Sequence, residues 1–534
     1  MKNIIVFLLL ISTSALKAQN ELPGGKIEVV KDFEVQLAET RKIRMVPQPV
    51  PVDSSIRRYE YKLLAPSPSI EYLTPEIKPL AISPEKKPTY YPFFVKAGYG
   101  SPNSLLGMIS YDHVQSESLA WGIDLRHLNA NNKKIPLQKF SDTQGRIDGR
   151  YMLNEKVQID GYLDGHVEST YFYGADYIPS NPDALKRVYN RYDAKVEISK
   201  VYAAESSLRY KGFLEYMTDK DDLGSREGAF KAVAAAGTAL GSKAYPLWLR
   251  LEADLSTLKH TDERTLNNLI LEPWFKWYSG RLQARLGMTA VLNKQQNGIL
   301  PGIDLTYALS SSGVSLIAGW TGESLKNNFH NLSEYNPYIT TRLEEINNMF
   351  VRKIYAGLKG GSGDFAYDLQ GQYSRFQNMA FFLQDEDNPE QFIPVYDDGS
   401  YIGFEGSLRF ELLKHMMLRA GLSQRFYNPE HEEKPWHRPS LGLHGEVTYA
   451  DEDEQYHFSF LFNAENGVPY RTLGGSEVVL DPLIDLSLHG DYFFTKTIGV
   501  FFELNNLLDN NRERWVNYPS FGFNAKAGVL FRLD

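Results

Sequence analysis

Few stretches of the chain gather groups that could do chemistry. The densest is His431-Glu432-Glu433-Lys434-Pro435-Trp436-His437, which puts two histidines and two carboxylates on one short segment. Imidazole and carboxylate together are zinc chemistry, but this spacing matches no zinc pattern, and a solvated loop is the better reading. Gln384-Asp385-Glu386-Asp387-Asn388, with Asp397-Asp398, offers hard oxygen ligands of the kind calcium takes. It lacks the spacing and the glycine of an EF-hand, so it too reads as a solvated acidic loop. Asp451-Glu452-Asp453-Glu454 reads as a solvated turn. No nucleophile elbow, H-E-x-x-H zinc helix, phosphate-binding loop or dinucleotide fingerprint occurs. No catalytic residue, metal ligand or cofactor is therefore expected, and the chain does not read as an enzyme.

Composition narrows the class. The 534 residues include no cysteine, which removes disulfide scaffolds, thiolate metal sites and thiol catalysis. A net charge of −9 argues against nucleic acid as a partner. Mean hydropathy is −0.37, too polar for a bundle of membrane helices but compatible with strands that alternate apolar and polar residues. Lys2, the apolar stretch Ile4 to Ile11 and the small residues up to Ala18 have the layout of a secretory signal peptide, 1–18.

Residues 19–92 hold eleven of the 27 prolines, with eleven Lys/Arg against ten Asp/Glu. Proline at that density disfavours helix and sheet interior, so this segment is expected to be an extended arm. From Phe93 the period becomes two. Trp121, Ile123 and Leu125 alternate with Gly122, Asp124 and Arg126; Ile159 and Leu163 alternate with Asp160 and Asp164; Leu249 and Leu251 alternate with Arg250 and Glu252. Arg285 and Glu168 fall on the polar side of the same pattern. Such runs fit the roughly 9–11 residues of a tilted transmembrane strand. Short turns such as Ser279-Gly280 and Thr495-Lys496-Thr497 alternate with longer polar loops, as in outer-membrane barrels. The expected fold is all-β: a transmembrane antiparallel barrel over 93–534 with about 22 strands, an even count that brings both chain ends to the periplasmic side. Aromatic clusters such as Tyr171-Phe172-Tyr173 and Trp274-Phe275-Lys276-Trp277-Tyr278 are expected at the membrane interfaces.

The last strand runs from Phe523 to Leu533, and Lys526, Gly528, Phe531 and Leu533 resemble the terminal signal read by the barrel-assembly machinery. Before it come Val500-Phe501-Phe502-Glu503-Leu504-Asn505-Asn506-Leu507-Leu508-Asp509, then Tyr518-Pro519 and Gly522. This stretch resembles the end of TonB-dependent receptor barrels. Asn505 and Asn506 are expected to cap a strand and bond turn backbone. The resemblance implies a receptor-like barrel in the outer membrane of a Gram-negative bacterium. It also implies a globular plug ahead of the barrel, and only the proline-rich arm stands there. Ile27-Glu28-Val29-Val30 resembles a TonB box; the other reading is a plain tether that adds a strand to a partner.

Two functions follow from this. One is passage of a solute or polymer across the outer membrane, the arm lying in the periplasm or the lumen. The alternative is a non-transporting subunit of an outer-membrane complex. The partners expected are outer-membrane lipid, the barrel-assembly machinery during biogenesis and a protein bound through the arm. A wide barrel without a plug would leak, so the arm, inward-folding loops or a partner is expected to occlude it.

Overall fold

A computed structural model describes residues 91–533, apart from 155, 175–178, 201–207, 242–244, 310–312, 341 and 454. The expected signal peptide and almost all of the arm, including Ile27 to Val30, lie outside the described residues.

Twenty-two strands form one antiparallel sheet that closes on itself. Each pairs with its neighbours in sequence, and the first, Phe93–Ser101, pairs with the last, Asn524–Leu533. Closure leaves no open edge, which a sheet in lipid requires, since hydrocarbon offers no partner for a bare N–H or C=O. Gly528 sits opposite Gly98 at this seam, and a Cβ on it would come within 2.0 Å of the Ala97 carbonyl oxygen. Only glycine allows the two strands to approach that closely.

Alternation sorts the side chains as the sequence predicts. Leu125, Ile147, Leu163, Val196, Leu214, Leu251, Leu269, Ile354, Ile402 and Val529 are exposed on the outer face, forming an apolar belt around the wall. An apolar surface of that extent belongs against lipid. Among the described residues no helix is long and apolar enough to cross a membrane. Tight turns at 117–118, 280–281, 363–364 and 414–415 lie at one end, which in barrels of this kind is the periplasmic one. The other end carries the longest connections, such as 430–440, beside short ones at 102–103 and 260–262.

Strand length departs from expectation on one side. Phe365–Gln384 and Phe392–Leu413 have 20 and 22 residues, about twice what the membrane needs. Their loop-side halves rise beyond the belt, past a β-bulge between Phe376 and Met379. There Ala380, Phe381, Phe382 and Phe392 are all fully buried. Consecutive residues are buried only where both faces of a strand are covered, so these halves pack within protein. Asp397, expected on a loop, lies on the second of these strands.

Candidate functional site

The lumen wall is polar and many of its charges are paired. Arg250 donates to Glu272 at 3.3 Å and also to Glu252, while Arg285 donates to Glu272 at 3.1 Å. Arg150 holds Asp160 at 3.0 Å, and Arg191 holds Glu168 at 3.0 Å. Asp124 accepts from Ser110 at 2.6 Å, and Arg126 lies 3.9 Å from Asp142. The inward residues read from the sequence thus form a laced, hydrophilic wall. Trp274 departs from the expected girdle: it follows the inward alternation of Glu272 and stacks on Trp248 at 5.8 Å.

The loop-side mouth is crossed by protein. Counting barrel strands from Phe93, Phe172 and Tyr173 follow the fifth, Tyr335 and Tyr338 follow the thirteenth, and Trp515 and Tyr518 follow the twenty-first. Eight strands separate one pair from the next, on the order of 40 Å of wall at ~4.8 Å per strand. Yet the three sites meet. Tyr338 stacks on Tyr518 with ring centroids 3.6 Å apart, and Tyr173 sets its edge against Tyr518 at 5.0 Å. The Tyr173 hydroxyl donates to the Pro519 carbonyl at 3.0 Å, as does the Gln138 amide at 2.7 Å. Tyr518 donates to the Glu390 carbonyl at 2.5 Å, bringing in a further loop. Chains rooted so far apart touch only by reaching across the opening.

This cap has a dry centre. Phe329, Ile339, Phe382, Phe392, Trp515 and Tyr518 belong to one buried apolar cluster. Burial pushes the Tyr173 phenol up to about 12, and raises those of Tyr338 and Tyr518 as well, so all three rings stay neutral. His437 is buried there, stacked on Trp515 at 5.2 Å. Its Nδ1 lies 2.8 Å from the Phe382 carbonyl, an acceptor, so Nδ1 carries the proton and Nε2 is left bare. Burial first, then the nearby Arg514 guanidinium, lowers its pKa to about 4. Arg514 ties its own loop to two others and to the wall: it donates to the His437 carbonyl at 3.0 Å and the Tyr335 hydroxyl at 2.7 Å, and pairs with Glu465 on the nineteenth strand at 2.7 Å.

The histidine-rich segment is therefore split by burial. His431 is exposed and sits 2.7 Å from the buried Asp397 carboxylate, which raises its pKa by hydrogen bonding and by charge. His431, Glu433 and Glu386 share an open polar groove of ≈ 500 Å³ with Arg471 and Thr472. Among the described residues no group of three metal-ligating side chains is placed to hold an ion.

The C-terminal motif divides likewise. Asn505 ends its strand, donating to Asn524 at 2.9 Å and lying 2.8 Å from the His489 ring. Asn506, at φ 47°, donates to the carbonyls of Asn510 and Phe521 at 2.6 and 2.8 Å, a capping role as read from the sequence. Asp509 fills the space a Cβ on Gly522 would need, its Oδ1 being 2.6 Å from that position. Leu507 is exposed just after the strand. Tyr518 and Pro519 do more than form a hairpin: they sit at the middle of the cap. On the closing strand, Phe531 packs on Phe93 at 6.1 Å, Leu533 pairs with Phe93, and Lys526 lies 3.3 Å from Glu503.

Sequence reasoning places Tyr171-Phe172-Tyr173 in an interface girdle, whereas Tyr171 and Phe172 are buried, and Phe172 belongs to the cap. The usable signal was Met379-Ala380-Phe381-Phe382-Leu383, where strict alternation gives way to an unbroken apolar run.

No known family matches the chain by sequence, and no curated protein does. Solved structures match by shape. The siderophore receptor PirA from Acinetobacter baumannii is 9% identical with a TM-score of 0.60, over 83% of this chain and 80% of that one. The FrpB iron transporter from Neisseria meningitidis is 9% identical with a TM-score of 0.65, over 83% and 82%. The ferripyoverdine receptor of the Pseudomonas aeruginosa outer membrane, bound to ferripyoverdine, is 11% identical with a TM-score of 0.63, over 84% and 72%. At such identity the likeness is one of fold. The chain has the fold of these receptor and transporter structures, a closed barrel of 22 antiparallel strands.

Proposed function

We propose that the chain passes a hydrophilic solute or polymer across the outer membrane of a Gram-negative bacterium, through a barrel whose outer mouth is shut at rest. The observation that carries this is the pairing of a charged, laced lumen with a covering made of loops rather than of the wall itself. Ion pairs such as Arg285 with Glu272 and Arg191 with Glu168 line a hydrophilic interior suited to a polar solute, and the folds the barrel resembles belong to receptors and transporters. The chemistry expected of it is binding and passage, with no bond made or broken. The arm, 19–92, supplies a partner contact from the periplasmic side or the lumen, with Ile27 to Val30 as the segment that adds a strand to that partner. Lys526, Gly528, Phe531 and Leu533 act earlier, as the signal for barrel assembly.

The alternative reading is a non-transporting subunit of an envelope complex. Deletion of the gene separates the two. A growth or uptake defect confined to one solute class, restored by the intact gene, supports passage. Unchanged growth on every solute, with the protein recovered at fixed stoichiometry with partners after gentle-detergent extraction, contradicts it.

A further inference from the structure

One segment of the cap is held differently from the rest. Asn328 to Thr340 leaves the thirteenth strand, Val314–Asn327, and reaches the wall at the sixth to eighth strands, Lys186–Lys200, Arg209–Asp221 and Arg226–Leu240. It docks there through polar groups. The buried Glu227 carboxylate accepts from the Asn328 amide at 2.7 Å and from the His330 main-chain N–H at 2.9 Å. Asn328 also caps the short helix Phe329–Tyr335 by accepting from the Asn331 N–H. The Asp219 carboxylate lies 3.2 Å from His330 Nδ1, and Arg191, which it also holds, donates to Ser333 at 3.2 Å. Tyr189 donates to the Pro337 carbonyl at 2.8 Å.

The other end is bound by main chain and rings. The Thr340 N–H donates to the Phe392 carbonyl at 2.8 Å, the Phe392 N–H donates to the Tyr338 carbonyl at 2.9 Å, and Tyr338 stacks on Tyr518.

The two attachments differ in how well they are satisfied. At the wall, Asp219 Oδ1, Asp221 Oδ2 and both Nη atoms of Arg187 are buried with no hydrogen-bond partner among the described residues. Arg187 and Asp221 face each other at 3.3 Å with both side chains fully buried. Buried charge with unmet hydrogen-bonding capacity is costly, and hydration relieves it. At the stacked end the buried atoms without a partner among the described residues, Asn336 Nδ2 and His437 Nε2, are on neutral groups, and neutral groups gain less from hydration than buried charges do. We propose that Asn328 to Thr340 is a strap whose wall end, clamped by Glu227 and Asp219, lets go first and opens the mouth beside the sixth to eighth strands, while the Tyr338–Phe392 end stays attached as the pivot.

The proposal rests on reading the barrel as a conduit, but its test needs no solute. The cysteine-free chain makes added thiols unique. Purified full-length protein is placed in planar lipid bilayers as wild type, as Glu227→Gln, and as the Glu227→Cys/Asn328→Cys pair with and without a short thiol-bridging reagent. Heat-shifted gel mobility verifies that each barrel is folded. The expected result is at least a tenfold rise in open fraction for Glu227→Gln and for the unbridged pair, with bridging restoring the wild-type value. Folded clamp variants that stay as silent as wild type would overturn the strap, and so would a bridged pair that conducts like the unbridged one. Should Tyr518→Ala conduct while the clamp variants do not, the opening lies elsewhere and the proposal also falls. Failure to find a transported solute would undermine the proposed function and leave this result standing.

Discussion

The barrel wall and the cap over its mouth are stabilised in contrasting ways. The wall is a closed ladder in which each strand bonds the next, so its specificity is local and repeated twenty-two times. Neighbouring residues dictate it, and the lipid-facing side chains need only be apolar. The cap has little repeated pairing. Its two small hairpins, Pro469–Arg471 with Glu477–Val479 and Glu513–Trp515 with Tyr518–Pro519, are minor beside the rings that meet at Tyr518. Non-local apolar packing gathers its parts, and a few buried polar clamps orient them. A wall of this kind is insensitive to most single side chains except at close-approach glycines, as at its seam, whereas a cap of this kind depends on a handful.

The seam gives the largest expected effect. Gly528→Val drives a side chain into the Ala97 carbonyl and the Gly98 Cα. It should abolish closure, read as loss of the heat-shifted band and of membrane-inserted protein, while the same change at Gly107, where a Cβ meets nothing, leaves folding intact. Equal tolerance at both positions would remove the claim that closure sets the wall's weak point.

Next comes the cap alone. Trp515→Ala deletes a buried ring from the central cluster and should cost about 3–5 kcal/mol of cap stability. The barrel band should persist while limited proteolysis cuts the loops at least tenfold faster. If the band were lost as well, wall and cap would be one cooperative unit and the contrast would fail.

Acid should act on the cap in a defined window. His437 is neutral in the closed cap with a pKa of about 4, and returns to 6.5 when the cap opens. Above pH 6.5 neither form carries the proton and the cap has full strength. Between 6.5 and 4 the open form takes up the proton first, so stability falls as pH falls, by on the order of 3 kcal/mol at the acid end. Loop proteolysis at pH 7, 5.5 and 4 should rise accordingly, and His437→Phe should flatten most of that slope. A slope unchanged in His437→Phe would assign the acid response to other groups.

The smallest effect belongs to the lumen. Glu272→Gln removes one carboxylate shared by Arg250 and Arg285, both partly solvated, so about 1 kcal/mol or less of stability is at stake. The change should appear in ion selectivity once the mouth is open, and leave both band and proteolysis unaltered.

The same contrast explains what could be read in advance. Period-two alternation at Trp121 to Arg126 and Leu249 to Glu252 specifies each strand, its two faces and its short turn, and the strands add up to the observed twenty-two. Asn505 and Asn506 act through bonds to nearby residues, so their capping role was legible too. Tyr173, Tyr338 and Tyr518 lie far apart in sequence, and no local period ties them together. Taken alone, an aromatic cluster at a strand end looks the same whether it faces lipid headgroups or a cap, which is why Tyr171 to Tyr173 misled. His437 was misplaced for a related reason: its neighbours in sequence are charged, but its neighbours in space are Phe392, Tyr470 and Trp515.

The central claim, that loops shut the outer mouth, is tested most directly by thiol accessibility in intact cells. Single cysteines are placed at Ser407, which shares the inward face with Glu405, and at Glu433, which lines the open groove on the loop side. A bulky, membrane-impermeant maleimide is then added from outside. Rapid labelling of Glu433→Cys, with Ser407→Cys left unlabelled until Trp515→Ala is added, is the predicted result. Labelling of Ser407→Cys at the rate of Glu433→Cys in the otherwise unaltered chain would contradict it.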